Sequence, residues 1–355
     1  MSKVPVSVCI IAKNEEKYLE GCLKHLLPYG FEIIVTDTGS EDRTKEIAAK
    51  YASKVLDFEW IDDFSAARNF CAQHASNPWI LSLDCDEYVN SIDVKGMRIL
   101  MQKFPRYVGN IDLANLVIDE NGEQRVTIEN VSRFYNRNFY TFINAVHEQL
   151  VPVKDHTIYQ YPQFLLPMEV VHHGYNITGE EMVKKQKRNL QLLEKAIEKN
   201  PEDSYSWFQI GQSRFVLKQY EEAVDAYEKS LALKPETNRY FVEVAVESLS
   251  KAYLNVRKKK ESLELLKQYE DIYKSAKFMF ALAASYMENE QPLQALLHYI
   301  KTSTTKDFET LGENKIDCYN NIIALYYEMG QPEMAEMFIP KYEACKKEKE
   351  RIINS

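Results

Sequence analysis

Short, continuous apolar runs separated by helix-like stretches dominate the first ninety residues of the chain. Val6–Ala12 and Trp79–Leu83 are runs of this kind, and a strand that is buried on both faces requires such a run. A further strand is predicted at Phe31–Thr36. Strands that alternate with helices in this rhythm predict an α/β fold with a parallel, doubly wound sheet. Ligands of such sheets bind at the carboxyl ends of the strands.

Helices are expected between these strands. Asn14 is a good N-cap residue for the first helix, and Ser40 or Asp42 would cap the second. A third helix is predicted over residues 64–75, after a further strand over residues 55–60.

The pattern changes after residue 90. One helix over residues 94–104 precedes predicted strands over 111–117, 131–135 and 147–153, which would extend the parallel sheet into a mixed one. We expect this first domain to occupy residues 1–178.

From residue 179 to residue 355 the sequence is helical and repetitive, which predicts a second, all-α domain. Pro201 and Pro235 lie 34 residues apart, the period of a tetratricopeptide unit. The repeat occurs in four copies. In each copy, a small residue after the turn lies nine positions from the residue before the turn. These pairs are Arg214–Ala223, Tyr253–Ser262, Tyr286–Ala295 and Tyr326–Ala335. Such repeats stack into a solenoid, whose exposed ends could also mediate self-association into a homo-oligomer.

Composition excludes several classes of protein. The net charge of −9 argues against a nucleic-acid-binding protein. The six cysteines are scattered without a C-x-x-C pair, as in a reduced, intracellular protein. No apolar run approaches the roughly 20 residues of a membrane span, and no secretory signal is evident, so we expect a cytoplasmic location without a transmembrane segment.

Carboxylates follow two of the predicted strands. Asp84 and Asp86 come directly after Leu83, and i and i+2 side chains of an extended segment point the same way. They could face one Mn²⁺ or Mg²⁺, which proteins usually bind through one or two carboxylates plus substrate phosphates. The simpler alternative is a solvated acidic turn. Asp37 follows the strand over 31–36 and could accept a hydrogen bond from a nucleotide base or a ribose, or could cap a turn.

Other candidates are weaker on local pattern alone. Arg68 could reach a diphosphate or fix the acidic loop, or could form a surface ion pair. His147 or Glu148 could act as a general base, although an exposed polar strand is an alternative. His172 or His173 could complete the coordination of Mn²⁺, or could be structural.

Six segments occur in an order that resembles the family 2 glycosyltransferases of the GT-A fold, in the bacterial branch that carries tetratricopeptide repeats. They are residues 7–16 (SVCIIAKNEE), 37–44 (DTGSEDRT), 64–69 (FSAARN), 83–87 (LDCDE), 146–148 (VHE) and 172–175 (HHGY).

The resemblance implies an inverting transfer of a sugar from a UDP-sugar donor. It assigns Asp37 to the base, Asp84 and Asp86 to the metal and the diphosphate, and His172 rather than His173 to the metal. It favours Glu148, within the His147-Glu148 motif, as the catalytic base. The remaining residues that it places at the donor are Ala12, Asn14, Glu15, Gly39, Arg68 and Cys85.

The resemblance leaves the acceptor open. The branch includes enzymes that glycosylate peptide cysteines as well as enzymes that act on glycans. A repeat domain suited to holding a polypeptide favours a Ser, Thr or Cys side chain of a peptide or protein. The alternatives are a glycan or lipid-linked acceptor, and a non-catalytic scaffold in which the repeats are the working part.

Overall fold

The computed structural model describes residues 4–118, 124–175 and 179–353. It divides into two compact units, Met1–Met182 and Val183–Ser355. The first unit is α/β, and the second is all-α, as the sequence predicts.

Ten strands and four helices build the described part of the first unit. The helices are α1 (Leu19–Leu26), α2 (Thr44–Tyr51), α3 (Phe64–Gln73) and α4 (Val94–Lys103). The strands are β1 (Val6–Ala12), β2 (Glu32–Asp37), β3 (Lys54–Asp57), β4 (Trp79–Leu83), β5 (Glu87–Ile92), β6 (Val108–Ile118), β7 (Gln124–Asn136), β8 (Tyr140–Ile143), β9 (Gln149–Pro152) and β10 (Gln163–His172).

Eight of these strands form one mixed sheet in the order β3-β2-β1-β4-β7-β6-β10-β5. The first four run parallel, whereas β7 pairs antiparallel with both β4 and β6. Strand β10 is parallel to β6 and antiparallel to β5. The remaining strands, β8 and β9, form a separate antiparallel pair. The doubly wound half and its mixed extension are therefore both present.

The apolar runs lie at the centre of the sheet because helices cover both of its faces. Val8 and Ile10 pack in the same core as Leu23 of α1, whereas Cys9 faces the opposite side and packs with Cys71 of α3. Alternate residues of one strand point to opposite faces, so both sets must be apolar. The strands predicted at 6–12 and 79–83 are confirmed at those bounds.

The prediction that Asn14 caps the first helix is wrong. Helix α1 begins only at Leu19, and Asn14 has a φ of 56°, the left-handed conformation that asparagine tolerates better than most residues. Its side chain serves the neighbouring loop instead, since Asn14 Oδ1 accepts a hydrogen bond from the backbone N–H of Glu41 at 2.8 Å.

The strand predicted over residues 147–153 begins later. His147 has a φ of 56°, which takes it out of extended structure, and β9 starts at Gln149. Strands β5, β8 and β10 were not predicted, because their half-buried faces interrupt the apolar pattern.

The second unit is a stack of helical pairs that follows α5 (Gly179–Lys199). Its helices are α6 (Ser204–Val216), α7 (Tyr220–Ala232), α8 (Tyr240–Asn255), α9 (Lys259–Tyr269), α10 (Ala276–Glu288), α11 (Pro292–Thr302), α12 (Asn314–Glu328), α13 (Pro332–Glu336) and α14 (Ile339–Ile353). Among the described residues, no helix is long and apolar enough to cross a membrane.

Small residues allow the paired helices to approach closely. The four small residues that follow the predicted turns are fully buried, namely Ala223, Ser262, Ala295 and Ala335. Gly211 of α6 faces the ring of Tyr227 in α7, and a Cβ at Gly211 would lie 2.5 Å from that ring. The absence of a side chain at Gly211 therefore sets the spacing of this first pair.

Replacing Gly211 with alanine should destabilise the helical unit. The new methyl group overlaps the buried Tyr227 ring, and overpacking of this kind costs about 1–3 kcal/mol, more than alanine gains as a better helix former. Urea unfolding followed by circular dichroism would measure the loss. The matched control is Gly179→Ala, where a Cβ meets nothing within 4 Å. Equal stability of the two variants would contradict the packing argument.

Candidate active site

The loops that follow β1 and β2 lie side by side at the carboxyl edge of the sheet. Ala12 and Asp37 are register partners at the ends of these strands. The backbone N–H of Asn14 donates to Ser40 Oγ at 2.9 Å, and that of Glu15 donates to Thr44 Oγ1 at 2.7 Å. These bonds join the two loops into one wall of a site.

Asp37 is buried, with 2% of its surface exposed. Its Oδ1 accepts hydrogen bonds from the backbone N–H groups of Gly39 and Ser40, both at 3.0 Å. Gly39 has a φ of 101°, a conformation that favours glycine. Within the described residues, Oδ2 of Asp37 is buried without a hydrogen-bond partner. A buried acceptor left unpaired is costly, so this atom is suited to an N–H or O–H donor of a ligand.

Asp84 is held by two arginines. Its Oδ1 accepts a hydrogen bond from Arg68 Nη2 at 2.7 Å, and its Oδ2 accepts one from Arg133 Nη2 at 2.8 Å. Burial alone would raise the pKa of Asp84, but the charges of Arg133 and Arg68 lower it well below its ordinary value. Both carboxylate oxygens of Asp84 therefore contact arginines, and its role as a metal ligand stays a prediction.

Asp86 meets His172 instead. Asp86 Oδ2 lies 3.1 Å from His172 Nε2, and His172 Nδ1 lies 2.9 Å from Asn115 Oδ1. Burial lowers the pKa of His172, but the hydrogen bond and the charge of Asp86 raise it above its usual value. The neighbouring ring of His173 packs on Tyr88, with centroids 4.2 Å apart. Of the two histidines, His172 is therefore the one at the acidic pair.

A glycine makes room for Asp86. A Cβ on Gly174 would lie only 1.8 Å from Asp86 Oδ2, and the backbone N–H of His173 donates to the carbonyl of Asp86 at 2.9 Å. The segment after β10 thus fixes both the backbone and the side chain of Asp86.

The predicted set of three metal ligands does not form a cluster. In the parts of the chain that the structure describes, no group of three or more His, Cys, Asp or Glu side chains is arranged to hold a metal ion. Asp86 and His172 could supply one oxygen and one nitrogen ligand, a donor set that suits Mn²⁺. Further ligands would then have to come from phosphate oxygens and water, as is usual for Mg²⁺ and Mn²⁺ at nucleotide sites.

Arg68 lies in the core of the site and is 7% exposed. Besides Asp84, it donates from Nε to Glu148 Oε1 at 2.8 Å and from Nη1 to Ser82 Oγ at 3.0 Å. With its guanidinium engaged by three side chains, Arg68 fixes the acidic loop rather than offering a free contact to a diphosphate. These contacts therefore favour a role for Arg68 in fixing the acidic loop over a role in binding a diphosphate.

Glu148 is placed beside the acidic loop by this contact with Arg68, and its side chain is 16% exposed. His147 precedes it in a left-handed turn. Glu148 is thus the member of the His147-Glu148 motif that the charged network holds in place.

Cys85 and Glu15, which were also predicted at the donor site, differ in the direction of their side chains and in their charge. The thiol of Cys85 points into the protein and donates to the Ile11 carbonyl at 3.4 Å, so only its backbone can face a ligand. Burial raises the pKa of Glu15 to about 7, and the nearby charges of Asp86, Asp84 and Asp42 add to that effect. The Glu15 carboxyl therefore shares the negative potential of the acidic pair.

Arg133 was missed at the level of sequence. It lies on β7, and its Nη2 also contacts Glu87 Oε1 at 2.5 Å. Glu87 is 1% exposed, and its Oε2 accepts the backbone N–H of Asp84 at 2.9 Å. The available signal was a charged residue within the predicted strand over residues 131–135.

A mixed sheet with these carboxylates at its carboxyl edge, followed by helical repeats, is the arrangement that the resemblance to the GT-A fold predicts. Residues 7–158 match the model of glycosyl transferase family 2, and residues 204–236 match that of the tetratricopeptide repeat. The first part of the chain therefore resembles the family 2 glycosyltransferases, and the second part carries a match to one tetratricopeptide repeat.

The curated relatives of this chain include both tetratricopeptide-repeat proteins and glycosyltransferases. A TPR repeat-containing protein of Synechococcus elongatus is 32% identical over 58% of this chain and 51% of its own length. The SPbeta prophage-derived glycosyltransferase SunS of Bacillus subtilis is 28% identical over 69% of this chain and 58% of its own length. The chain thus spans between half and three-fifths of these relatives. Among solved structures, S. aureus TarS matches with a TM-score of 0.42 and 15% identity, over 72% of this chain and 53% of TarS.

Replacing Arg133 with methionine should strongly destabilise the first unit. The change leaves Glu87 buried without its cation, and removing one partner of a buried ion pair costs about 3–5 kcal/mol. Urea unfolding followed by circular dichroism would measure the loss. The matched control is Arg43→Met, because Arg43 pairs with Glu46 in an exposed contact that is worth about 1 kcal/mol at most. A loss for Arg133→Met no larger than that of the control would contradict this account.

Proposed function

We propose that this chain is an inverting, metal-dependent glycosyltransferase that moves a sugar from a UDP-sugar to a Ser, Thr or Cys side chain of a peptide or protein. The observation that carries the proposal is the pairing of two groups at one sheet edge. One is the buried Asp37 carboxylate with an unpaired oxygen among the described residues. The other is the contact between Asp86 and His172.

Asp37 would bind the nucleotide. Its Oδ2 would accept the N–H of the uracil ring, while Gly39 and Ser40 keep Oδ1 occupied and the carboxylate oriented. The joined loops that contain Asn14 and Glu15 would cover the nucleotide from the side.

Asp86 and His172 would hold the metal ion. When bound, the ion supplies neutralising charge for the departing diphosphate. Asp84 contributes indirectly, because Arg68 and Arg133 fix the loop that carries Asp86. In this proposal two protein ligands hold the metal ion, whereas the sequence predicted three.

Glu148 would be the general base. Arg68 orients Oε1, and Oε2 would take the proton from the acceptor hydroxyl or thiol. The acceptor atom forms a bond to the anomeric carbon as the bond to UDP breaks. This single displacement inverts the configuration at that carbon, and UDP leaves with the bonding electrons.

The helical repeats support a polypeptide acceptor. Stacked helical pairs present extended surfaces that hold other chains, and no such surface is needed to bind a nucleotide sugar.

Asp86→Asn should abolish metal-dependent hydrolysis of UDP-sugars. The variant loses a charged metal ligand, and the metal contributes several kcal/mol of charge stabilisation, so the rate should fall roughly 100-fold or more. The assay compares UDP-glucose, UDP-galactose and UDP-N-acetylglucosamine with Mn²⁺, with Mg²⁺ and with EDTA. The control Asp271→Asn makes the same charge change at an exposed residue. Unchanged rates in Asp86→Asn would remove the metal role, and calorimetry without binding of any donor would favour the scaffold alternative.

Glu148→Gln should lower sugar transfer about 100-fold or more, the usual contribution of a general base, while the Kd for the donor changes less than about twofold. His147→Gln is the matched control, because it tests the other member of the same motif and should retain most activity. Acceptors are peptides containing Ser, Thr or Cys, presented beside oligosaccharides. An equal loss in both variants would count against Glu148 as the base, and transfer to oligosaccharides alone would overturn the peptide assignment.

A further inference from the structure

A cavity of about 400 Å³ lies within the helical unit. Helices α7 and α9 form its walls, and α8 forms its floor. Its apolar surface comes from Leu231, Leu249 and Leu265, one from each helix. Since a water molecule occupies about 30 Å³ of liquid, the space exceeds ten waters and can hold a long side chain together with a neighbour.

Three carboxylates surround this apolar floor. Glu228, Glu261 and Glu264 all line the cavity, and its lining contains no lysine or arginine. Their side chains are exposed at the rim, and within the described residues no salt bridge joins them to a cation. A carboxylate rim above an apolar floor is the complement of a cation on an aliphatic stem.

The hydroxyl group of Tyr253 lies in the negative potential of the cavity. Its hydroxyl donates to Glu228 Oε1 at 2.7 Å. Burial raises the pKa of Tyr253, and Glu228 and Glu261 raise it further. The ammonium of Lys258, which is outside the lining, lies 5.7 Å from the centroid of the same ring, within the range of a cation–π contact. The ring therefore already attracts a cation from one side.

The position of the cavity separates it from the layer of first helices. Helix α6 contacts α8, and α8 contacts α10, so the first helices of successive repeats form one layer. The cavity opens between α7 and α9, which are second helices. The cavity is thus distinct from the surface of α6, α8 and α10 that faces away from α7 and α9.

We propose that this cavity binds a lysine or arginine side chain of a polypeptide segment. The cation contacts Glu261 and Glu264 at the rim and the aromatic face of Tyr253. Apolar neighbours of that residue in the bound segment contact the leucine floor. A free polyamine carries the same cation but offers the three leucines no apolar side chains, so the floor favours a peptide. This proposal does not depend on glycosyl transfer.

The test is fluorescence anisotropy with the full chain and a labelled decapeptide of alternating leucine and lysine. The comparison peptide replaces each lysine with norleucine, which keeps the aliphatic stem and removes the charge. We expect the lysine peptide to bind at least about tenfold more tightly than the norleucine peptide, because hydrogen bonds to charged groups are the stronger class.

The double variant Glu261→Gln/Glu264→Gln should weaken binding of the lysine peptide about tenfold. The matched control Glu221→Gln/Glu222→Gln removes the same charge from exposed residues at the start of α7 and should change the Kd less than about twofold, because exposed distant charges are screened. Circular dichroism verifies that both variants are folded.

Several outcomes would overturn the proposal. Equal weakening in both double variants would show non-specific attraction by the acidic chain. Equal binding of the norleucine peptide would show an apolar groove without cation recognition. Spermidine that binds as tightly as the peptide, and with the same dependence on Glu261 and Glu264, would identify a polyamine site. Absence of peptide binding to the unaltered chain would leave the cavity without this role.

Discussion

The geometry of the candidate active site depends on a buried network of opposite charges. Arg68 and Arg133 together contact Asp84, Glu87 and Glu148, which come from two segments of the chain, residues 84–87 and the stretch before β9. Each of these ions loses hydration on burial, and only close pairing compensates for that loss. The network therefore specifies one arrangement of the loop after β4, the start of β5 and the segment before β9.

This arrangement separates the duties of the two aspartates in the acidic pair. Asp84 contacts the two arginines, whereas Asp86 contacts His172 and is the one proposed to meet a ligand. The same arginine that fixes Asp84 also holds Glu148. The acidic loop of the proposed donor site and the proposed base are thus both contacted by one side chain.

The sequence predicted the fold well where burial is two-sided. Strands β1 and β4 consist of apolar residues apart from one serine each, and their bounds follow directly from the pattern. Strands β5 and β10 are half-buried, and polar residues interrupt their apolar pattern. Long-range partners are harder still: Arg133 is 49 residues from Asp84, and no local spacing indicates that the two meet. The left-handed conformation of Asn14 could not be predicted for a related reason, because its hydrogen-bond partners lie in the loop after β2.

Gly174 shows how a residue without a side chain can control a binding site. The space next to Asp86 Oδ2 exists because position 174 has no Cβ. Every other amino acid there would have to displace the carboxylate or move the segment that carries His172. The tolerance of this site to mutation is therefore set by backbone clearance as well as by charge. A chain of this type could keep all of its acidic and histidine residues and still lose the site through one added methyl group.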